Sequence, residues 1–386
     1  MQFHDILLLV NVTATDDFYP TVIQYAREHR WRLTIEDRMA PPQGWRGDGA
    51  IVQAMDWPVI AKYVRGLRRR GIPVVNLVDS QVGKTLPSCV LDIRAACRAA
   101  ARHLLERGFS HAAYFAMEWL PSRDVYFAAF ESSMKGCDVQ RWAWPFESGE
   151  RQVNNRAAMV KWLKAKLRST PKPIAAFCPN PYNAVTLLNV CLDMGLAVPD
   201  EIAIACDAYD PAFCDCQSVP ISGVEYDNCR QAREAAALLD RLIDGDSSGP
   251  TRIVIPPTRL VVQQSTDVLA TENPLMRQAL RVIRERLSRP LGAAEIAATL
   301  GIPRIRLDRL FAEELKRSVG REILRQRLAR AKRLLVETDD TLDAIAAECG
   351  FCHASYLVNA FKKALGTTPR GYRLQQNTKQ NAGREP

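Results

Sequence analysis

Carboxylates and aromatic rings follow several short apolar segments of this 386-residue chain, and such side chains could hold a small ligand. The side chains that follow these segments are Asp16, Asp17, Phe18, Asp79, Glu118 and Trp119. Loops at the carboxyl ends of parallel strands form the ligand crevice of open α/β sheets. If the apolar segments are such strands, these side chains line a crevice. A second role is open for two of the acids, because Asp17 and Asp92 can also cap the helices that follow them.

Catalytic chemistry has little support in the sequence. The chain has no GxSxG, GxGxxG, P-loop or HExxH motif, and its five histidines fall in no metal-ligand spacing. An enzyme would have to use Cys214 with His111, or the carboxylate pair Asp16 and Asp17. We therefore expect binding without turnover, with no cofactor and no metal.

The 11 cysteines are scattered along the chain without a ladder of CxxC pairs. Cys214 and Cys216, in CDC, form the pair that is closest in sequence. A metal or redox site is one interpretation, and free thiols in a reducing compartment are the favoured one. No segment approaches the roughly 18 apolar residues of a membrane span, so we expect a cytoplasmic protein.

Two sequence patterns divide the chain. Up to about residue 265, short apolar segments alternate with stretches in which apolar residues recur at three and four spacing. This alternation predicts strands and helices in turn, and hence parallel sheets covered on both faces. From Pro274 to Arg373 the pattern is helical throughout.

The positive charge is confined to the helical part. Residues 1–270 contain 30 Lys and Arg against 30 Asp and Glu, whereas residues 271–386 contain 22 against 13, which accounts for the whole formal net charge of +9. A basic excess within one domain suits a polyanion, because each phosphate contact releases counterions. A solvated charged face is the alternative.

The helical part contains an internal repeat. EIAATLGIPRIRLDRLFAEEL and AIAAECGFCHASYLVNAFKKAL share Ile-Ala, a Gly, and then a helix that carries a Phe. We predict positive φ at Gly301 and Gly350, which would end one helix and begin a second, as in a helix-turn-helix unit. The predicted core positions are Ile296, Ala297, Leu300, Leu307, Leu310, Phe311, Ile345, Ala346, Cys349, Leu357, Ala360 and Phe361.

The segment IAAECGFCHASYLVNAFKKALGTTPRGYR resembles the carboxy-terminal signature of AraC-type transcription regulators. The likeness covers about 100 residues and implies two helix-turn-helix units on one face of duplex DNA, about 34 Å apart. Two departures are Leu357, where Phe is usual, and Pro303, which replaces a capping Ser. We expect Pro303 at the first helical position, where a missing N–H is tolerated.

The helix faces opposite the predicted core would then contact DNA. These positions are Arg304, Ile305, Arg306, Asp308, Arg309, His353, Ala354, Ser355, Val358, Asn359, Lys362 and Lys363. Arg309 suits guanine, Asn359 suits adenine, and Ile305 or Val358 suits a thymine methyl group. Lys362, Lys363, Arg370 and Arg373 meet phosphates or remain solvated.

The first 265 residues are similar to the regulatory core of LacI-type proteins. The likeness rests on CVLDIRAACRAAARHLLERGFSHAAYFA and on PIAAFCPNPYNAVTLLNVCLDMGLAVPDEIAIACDAYD. It implies two α/β lobes, like those of periplasmic sugar-binding proteins, with a ligand between them. The first strand begins at Phe3, so we expect no DNA-binding headpiece before it. DNA binding would fall to the AraC-like end.

The resemblance assigns further ligand positions, namely Arg123 before FAAF, Asn180 in CPNPYNA, and Asp207 at the end of IAIACD. Such groups offer bidentate donors and acceptors for a polyhydroxy ligand. A sensor placed before an AraC-like domain resembles the regulators of pentose operons. This resemblance implies a pentose ligand, with D-xylose as the first candidate. Pro181 stands where an Asp often follows the asparagine, and this leaves the identity of the sugar open.

We therefore predict a two-lobed α/β sensor with parallel sheets, residues 1–268, and a linker, residues 269–274. An all-α AraC-type domain, residues 275–374, and a disordered tail, residues 375–386, would follow. The expected function is a ligand-responsive DNA-binding regulator, an activator of a sugar-catabolism operon. The expected partners are an operator duplex, a sugar, a second copy of the chain and RNA polymerase, with no membrane. The alternatives are a sugar-binding protein without a DNA role, and a regulator of a different sugar.

Overall fold

The computed structural model describes residues 3–10, 17–37, 40–117, 123–144, 156–246, 248–271 and 273–374. The chain divides between Ala270 and Thr271 into two compact units. This division falls inside the predicted linker, residues 269–274. The predicted tail, residues 375–386, lies outside the described residues.

The first unit is an α/β structure. Its described strands are β1 (His4–Leu9), β2 (Trp31–Glu36), β3 (Gly49–Val52), β4 (Val74–Asn76), β5 (Ser88–Leu91), β6 (His111–Met117), β7 (Asp138–Trp144), β8 (Ile174–Cys178), β9 (Ile202–Cys206), β10 (Ser222–Tyr226), β11 (Arg252–Ile255) and β12 (Pro257–Val261). Its described helices are α1 (Phe18–Glu28), α2 (Pro58–Arg69), α3 (Ile93–Leu105), α4 (Arg123–Ser133), α5 (Arg156–Ser169), α6 (Pro181–Asp193), α7 (Pro211–Cys214) and α8 (Asn228–Ile243).

The described strands form two six-stranded sheets, which are the cores of two lobes. The first sheet has the order β11-β5-β4-β3-β1-β2 and the second has the order β12-β10-β9-β8-β6-β7. All described pairs are parallel except β10 with β12, which is antiparallel. Strands β3, β8 and β9 are buried along their whole length, as expected for parallel strands covered on both faces. The predicted fold class is confirmed.

The chain passes between the two sheets at three places, namely after β5, after β10 and after β11. Two of these crossovers lie side by side, because Asp92 N–H donates to the carbonyl of Ile255 at 2.8 Å. Asp92 also caps α3 by accepting from the N–H of Ala95 at 2.8 Å, which confirms the capping role that the sequence left open. Asp227 caps α8 in the same way. Helix starts therefore fix the backbone where the lobes connect.

The second unit is helical. Its described helices are α9 (Pro274–Glu285), α10 (Ala293–Thr299), α11 (Arg304–Leu315), α12 (Val319–Glu337), α13 (Leu342–Glu348) and α14 (Ala354–Leu365), and residues 369–374 are also helical. None of the described helices combines the length and the apolar character needed to cross a bilayer.

The internal repeat corresponds to two helix-turn-helix units, α10 with α11 and α13 with α14. Gly301 and Gly350 have φ of +65° and +76°, as predicted. Ten of the twelve predicted core positions are buried, and Leu300 and Ala360 are half-buried. Between the units, α12 carries the fully buried Glu322, whose carboxylate forms ion pairs with Arg317 at 3.1 Å and Arg325 at 2.7 Å.

Pro303 differs from its predicted position by one residue. It is the N-cap residue, and α11 begins at Arg304. No side chain caps this helix, as expected once the usual Ser is replaced. The N-cap residue of α14, His353, also provides no side-chain cap bond, so both helices begin without one.

Candidate ligand crevice and DNA-reading helices

Three predicted ligand positions lie at one edge of the second sheet. Arg123 follows β6, Asn180 follows β8 and Asp207 follows β9, and these three strands are neighbours in the order β9-β8-β6. The N–H of Asp207 donates to the carbonyl of Cys178, the last residue of β8, at 2.9 Å. The three positions therefore lie at the carboxyl edge of the sheet, which is the edge where open α/β sheets bind ligands.

Asp207 is the most chemically distinctive residue of this edge. Its side chain is buried, with 1% exposed. Oδ2 accepts a hydrogen bond from the hydroxyl of Tyr126 at 2.6 Å, and Oδ1 accepts no hydrogen bond of normal geometry from the described residues. Burial raises the pKa of the Asp207 carboxyl to about 6, although the Tyr126 hydrogen bond opposes this shift. A buried acceptor with a vacant oxygen is costly unless a donor reaches it.

Tyrosines that the sequence did not predict surround this carboxylate. Tyr226 ends β10, the strand next to β9, and its buried hydroxyl lies near the Asp207 carboxylate without a hydrogen bond of normal geometry in the described part of the chain. Burial, together with the Asp207 charge, raises the pKa of Tyr226. Tyr114 on β6 stacks against Tyr126 with ring centroids 6.5 Å apart. Only Tyr226 had a sequence signal, because it stands at the end of a strand directly before a capping Asp.

Asn180 is both a crevice position and a helix cap. Its Oδ1 accepts from the N–H of Asn183 at 2.9 Å and thereby caps α6. Asn183 is fully buried, and both polar atoms of its side chain lack a partner among the described residues. A buried amide in the first turn of α6 was not predicted, because its sequence position lies within an apolar stripe.

The predicted ligand positions of the first lobe differ in their burial and in their contacts. Asp17 precedes α1 as its N-cap residue but makes no side-chain cap bond. Phe18 is 1% exposed and belongs to the hydrophobic core of the first lobe, so we do not carry it into the ligand set. Asp79 lies 3.7 Å from Arg252 and forms an ion pair with it.

Several predicted positions are beyond what the structure describes. Asp16, Glu118 and Trp119 lie outside the described residues, and for Arg123 only the backbone, at the start of α4, is described. Their contribution to the crevice stays a prediction.

The CDC cysteines differ from one another. Cys214 is buried, with its Sγ 3.9 Å from Sγ of Cys206, whereas Cys216 is exposed. Within the described ranges, no group of three or more His, Cys, Asp or Glu side chains could hold a metal ion. His111 begins β6, at the amino edge of the second sheet, whereas Cys214 ends α7, which follows β9 at the carboxyl edge. The arrangement gives the Cys214 and His111 hypothesis no geometric support.

The predicted DNA-contacting side chains lie on the outer faces of α11 and α14. On α11 they are all exposed, and Ile305 is 83% exposed. On α14, Ser355, Asn359, Lys362 and Lys363 are exposed, as is the N-cap residue His353, while Ala354 and Val358 are half-buried. Tyr356 is also 54% exposed on α14, and we had not predicted it. A tyrosine near the start of a predicted helix does not by itself indicate that the side chain is exposed.

The two helices differ in charge. On α11, Nε of Arg309 lies 2.7 Å from the Glu313 carboxylate, and Nε of Arg304 lies 3.5 Å from Asp308. The sequence of α14 contains Lys362 and Lys363 but no acidic residue.

Arg373 has a structural position rather than a solvated one. Its guanidinium donates to the carbonyls of Leu335, Thr338 and Asp340, at 2.9, 3.1 and 2.9 Å, and so satisfies the end of α12. This corrects the prediction that it meets phosphates or remains solvated. Tyr372 packs against Phe361 with ring centroids 5.5 Å apart.

Comparison with protein families divides the chain in the same way. Residues 101–266 match the family described as periplasmic binding protein-like domain, and residues 296–375 match the family described as helix-turn-helix domain.

Curated relatives extend over nearly the whole chain. The xylose operon regulatory protein of Escherichia coli (strain K12) is 25% identical over 96% of this chain and 97% of that protein. The protein of the same name from Haemophilus influenzae is 26% identical over 97% of this chain and 99% of that protein. The regulator ArgR of Pseudomonas aeruginosa is 31% identical over 28% of this chain, which is 33% of that protein.

Solved structures match either nearly the whole chain or about two thirds of it. The structure described as xylose-binding transcription activator xylR matches 96% of this chain and 98% of that chain, with a TM-score of 0.72 and 24% identity. A LacI family transcriptional regulator from Mycobacterium smegmatis matches 69% of this chain and 100% of that chain, with a TM-score of 0.56 and 20% identity. These likenesses establish the fold.

Proposed function

We propose that this chain responds to a pentose, with D-xylose as the first candidate. The chain is a DNA-binding transcription regulator in which a periplasmic-binding-protein-like sensor precedes an AraC-type helix-turn-helix domain. The curated relatives that span 96–97% of the chain are named xylose operon regulatory proteins, which supports this ligand class. A regulator that binds chromosomal DNA works where that DNA lies, so we place it in the cytoplasm.

The observation that carries the ligand proposal is the Asp207 carboxylate. One oxygen already accepts from Tyr126, and the other is buried without a hydrogen bond of normal geometry from the described residues. A sugar hydroxyl would satisfy that oxygen with a charge-assisted hydrogen bond. The hydroxyl of Tyr226 supplies a further polar group at the same edge. A polyhydroxy ligand matches this set of acceptors and donors better than an apolar one.

Ligand binding is coupled to the relation between the lobes. Three crossovers join the sheets, and two of them are held side by side by the Asp92 to Ile255 hydrogen bond. A sugar that contacts both lobes binds a closed arrangement more tightly than an open one, and it shifts the population toward closure. Asp17 and Asp79 are the candidate contacts from the first lobe.

Closure is transmitted to DNA through a dimer of sensor units. Two copies of the chain present their helix-turn-helix domains to adjacent half-sites, with α11 and α14 in successive major grooves. The sugar-bound form then activates the operon through contact with RNA polymerase. Lys362 and Lys363 position the domain on phosphates, while Arg309 and Asn359 read bases.

Calorimetric titration of the purified chain with D-xylose, L-arabinose, D-ribose and D-glucose tests the ligand. We expect one pentose to bind, and the ligand at 100 times its Kd to stabilise the chain by about 2.7 kcal/mol. Asp207→Asn removes the charged acceptor and should abolish binding. Asp193→Asn is the matched control, because this exposed acid ends the same helix, α6, that Asn180 begins.

A hexose that binds in place of every pentose would contradict the ligand assignment and leave the regulator intact. If Asp207→Asn binds sugar as well as Asp193→Asn does, the crevice at the edge of the second sheet is not the site.

A further inference from the structure

We propose that Asp308 and Glu313 are specificity-determining residues of α11, the first DNA-reading helix. They would hold Arg304 and Arg309 in a geometry that suits a guanine edge and disfavours a phosphate. This inference rests on DNA binding by the helix-turn-helix domain. It assigns a role to two acids that face the DNA side of a basic domain.

The ion pairs on α11 are well placed but add little to folding. Arg309 is 77% exposed and Glu313 is 61% exposed. Arg304 and Asp308 are 67% and 47% exposed. Exposed pairs one helical turn apart contribute little to folding stability. Their main effect is therefore on where the two guanidinium groups point.

Both carboxylates contact the same atom of their arginine, Nε. The two terminal amino groups of each guanidinium stay available. Bidentate recognition of guanine uses two parallel N–H groups toward O6 and N7, and these terminal groups can supply them. Each acid thus orients its arginine without occupying the donors that read a base.

A phosphate would interact differently with the same pairs. It attracts the guanidinium but repels the neighbouring carboxylate, which lies within 4 Å of it. The acids therefore weaken contacts that every DNA sequence offers equally. Because phosphate contacts supply most of non-specific binding, this weakening falls mainly on non-specific complexes.

The charge of each reading helix agrees with this division of labour. The sequence of α11 carries three arginines and three acids, Asp308, Glu313 and Glu314, so its net charge is zero. The sequence of α14 carries two lysines and no acid, so its net charge is +2. We infer that α14 supplies more sequence-independent attraction than α11 does.

Arg306 provides a control on the same helix. It is exposed, and within the described ranges it has no ion pair with an acid. It should act as an ordinary phosphate contact, whereas Arg309 should act as a base contact.

The test compares specific and non-specific binding of the full chain. Wild-type protein first selects a duplex from a random pool. Affinities for the most enriched duplex and for poly(dI-dC) are then measured over a series of salt concentrations. For Glu313→Gln we expect tighter binding to poly(dI-dC), a salt slope steeper by about 0.9, and a specificity ratio about tenfold lower. Asp308→Asn should act in the same direction on the other pair.

Arg306→Gln should lower both affinities by one common factor and reduce the salt slope by about 1. An unchanged specificity ratio in both Glu313→Gln and Asp308→Asn would overturn the inference while DNA binding stands. If wild-type protein enriches no duplex at all, DNA binding itself fails, and the inference fails with it. Circular dichroism checks that the exposed substitutions leave the fold intact.

Discussion

Gly350 lies directly against the backbone carbonyl of Leu287, so that a Cβ on Gly350 would overlap this oxygen and lie 2.9 Å from Nη2 of Arg327. Arg327 in turn donates to the carbonyls of Leu287 and Arg289. The turn of the second helix-turn-helix unit is thereby fixed to the segment that follows α9. Only glycine fits there.

Gly350→Ala should destabilise the DNA-binding unit by about 3 kcal/mol or more, because a left-handed φ and a clash with backbone add together. Gly301→Ala is the matched control. Gly301 has a similar φ, but nothing lies within 4 Å of its added Cβ, so we expect a loss of about 1–2 kcal/mol. Chemical denaturation of both variants measures the difference. Equal losses would mean that the Leu287 contact has no energetic effect.

The Asp207 carboxyl predicts two opposite effects of pH. Its pKa of about 6 in the folded chain exceeds the unfolded value of about 3.9, so the folded state binds this proton more tightly. The stability that Asp207 contributes is therefore fully present below about pH 4 and is lost as the pH rises through 6. At pH 8 the Asp207→Asn variant should be more stable than wild type by roughly 3 kcal/mol in the free energy of unfolding, and it should melt at a higher temperature. This difference in stability should disappear below about pH 4.

Sugar binding should follow the opposite trend, because the ligand needs the charged acceptor. Affinity in the wild type should fall as the pH is lowered through 6. Calorimetry at pH 5 and at pH 8 checks this. Affinity that is equal at the two values would show that the carboxylate is not the acceptor.

Arg373 and Arg370 should separate structural from DNA-binding cations. Arg373 satisfies three carbonyls near the end of α12, and hydrogen bonds from charged groups contribute about 1.5–3 kcal/mol. Arg373→Ala should therefore lower the melting temperature of the DNA-binding unit. Arg370 is exposed, so Arg370→Ala should leave stability unchanged and lower DNA affinity uniformly. Thermal melting and salt-dependent binding distinguish the two.

Replacement of Lys316 by glycine should stabilise the DNA-binding unit. It follows α11 with φ of +53°, at the position where Gly366, with φ of +72°, follows α14. A non-glycine residue in this region costs roughly 1–2 kcal/mol. Lys316→Gly should recover about 1 kcal/mol, and Gly366→Lys should lose a similar amount. Urea denaturation measures both, and a loss of stability in Lys316→Gly would contradict the assignment of strain.

Helices and central strands were predictable because their patterns reflect burial. The long helices α1, α6 and α8 and the central strands β3, β8 and β9 follow from apolar spacing alone. Short strands and strands at sheet edges carry a weaker apolar pattern. β5 has four residues, and β2, at the edge of the first sheet, mixes Arg and Thr with apolar residues because one side faces solvent.

The site was predictable only where side chains follow strands directly. Asp207 and Asn180 occupy strand ends, and their positions could be anticipated from the resemblance to LacI-type proteins. Tyr126 could not, because it lies inside α4 and meets Asp207 across 81 residues of sequence. Asn183 was hidden by the apolar residues around it. Contacts of this kind depend on how helices dock onto sheets, which a linear pattern does not encode.

The hydrogen bond from Tyr126 to Oδ2 of Asp207 means that this carboxylate is oriented before any effector arrives. Oδ1 is then the acceptor that a sugar hydroxyl would reach. A preorganised acceptor lowers the entropy that binding costs. The rigidity that one phenol gives to one carboxylate would therefore help to set the sugar level at which the gene switch responds.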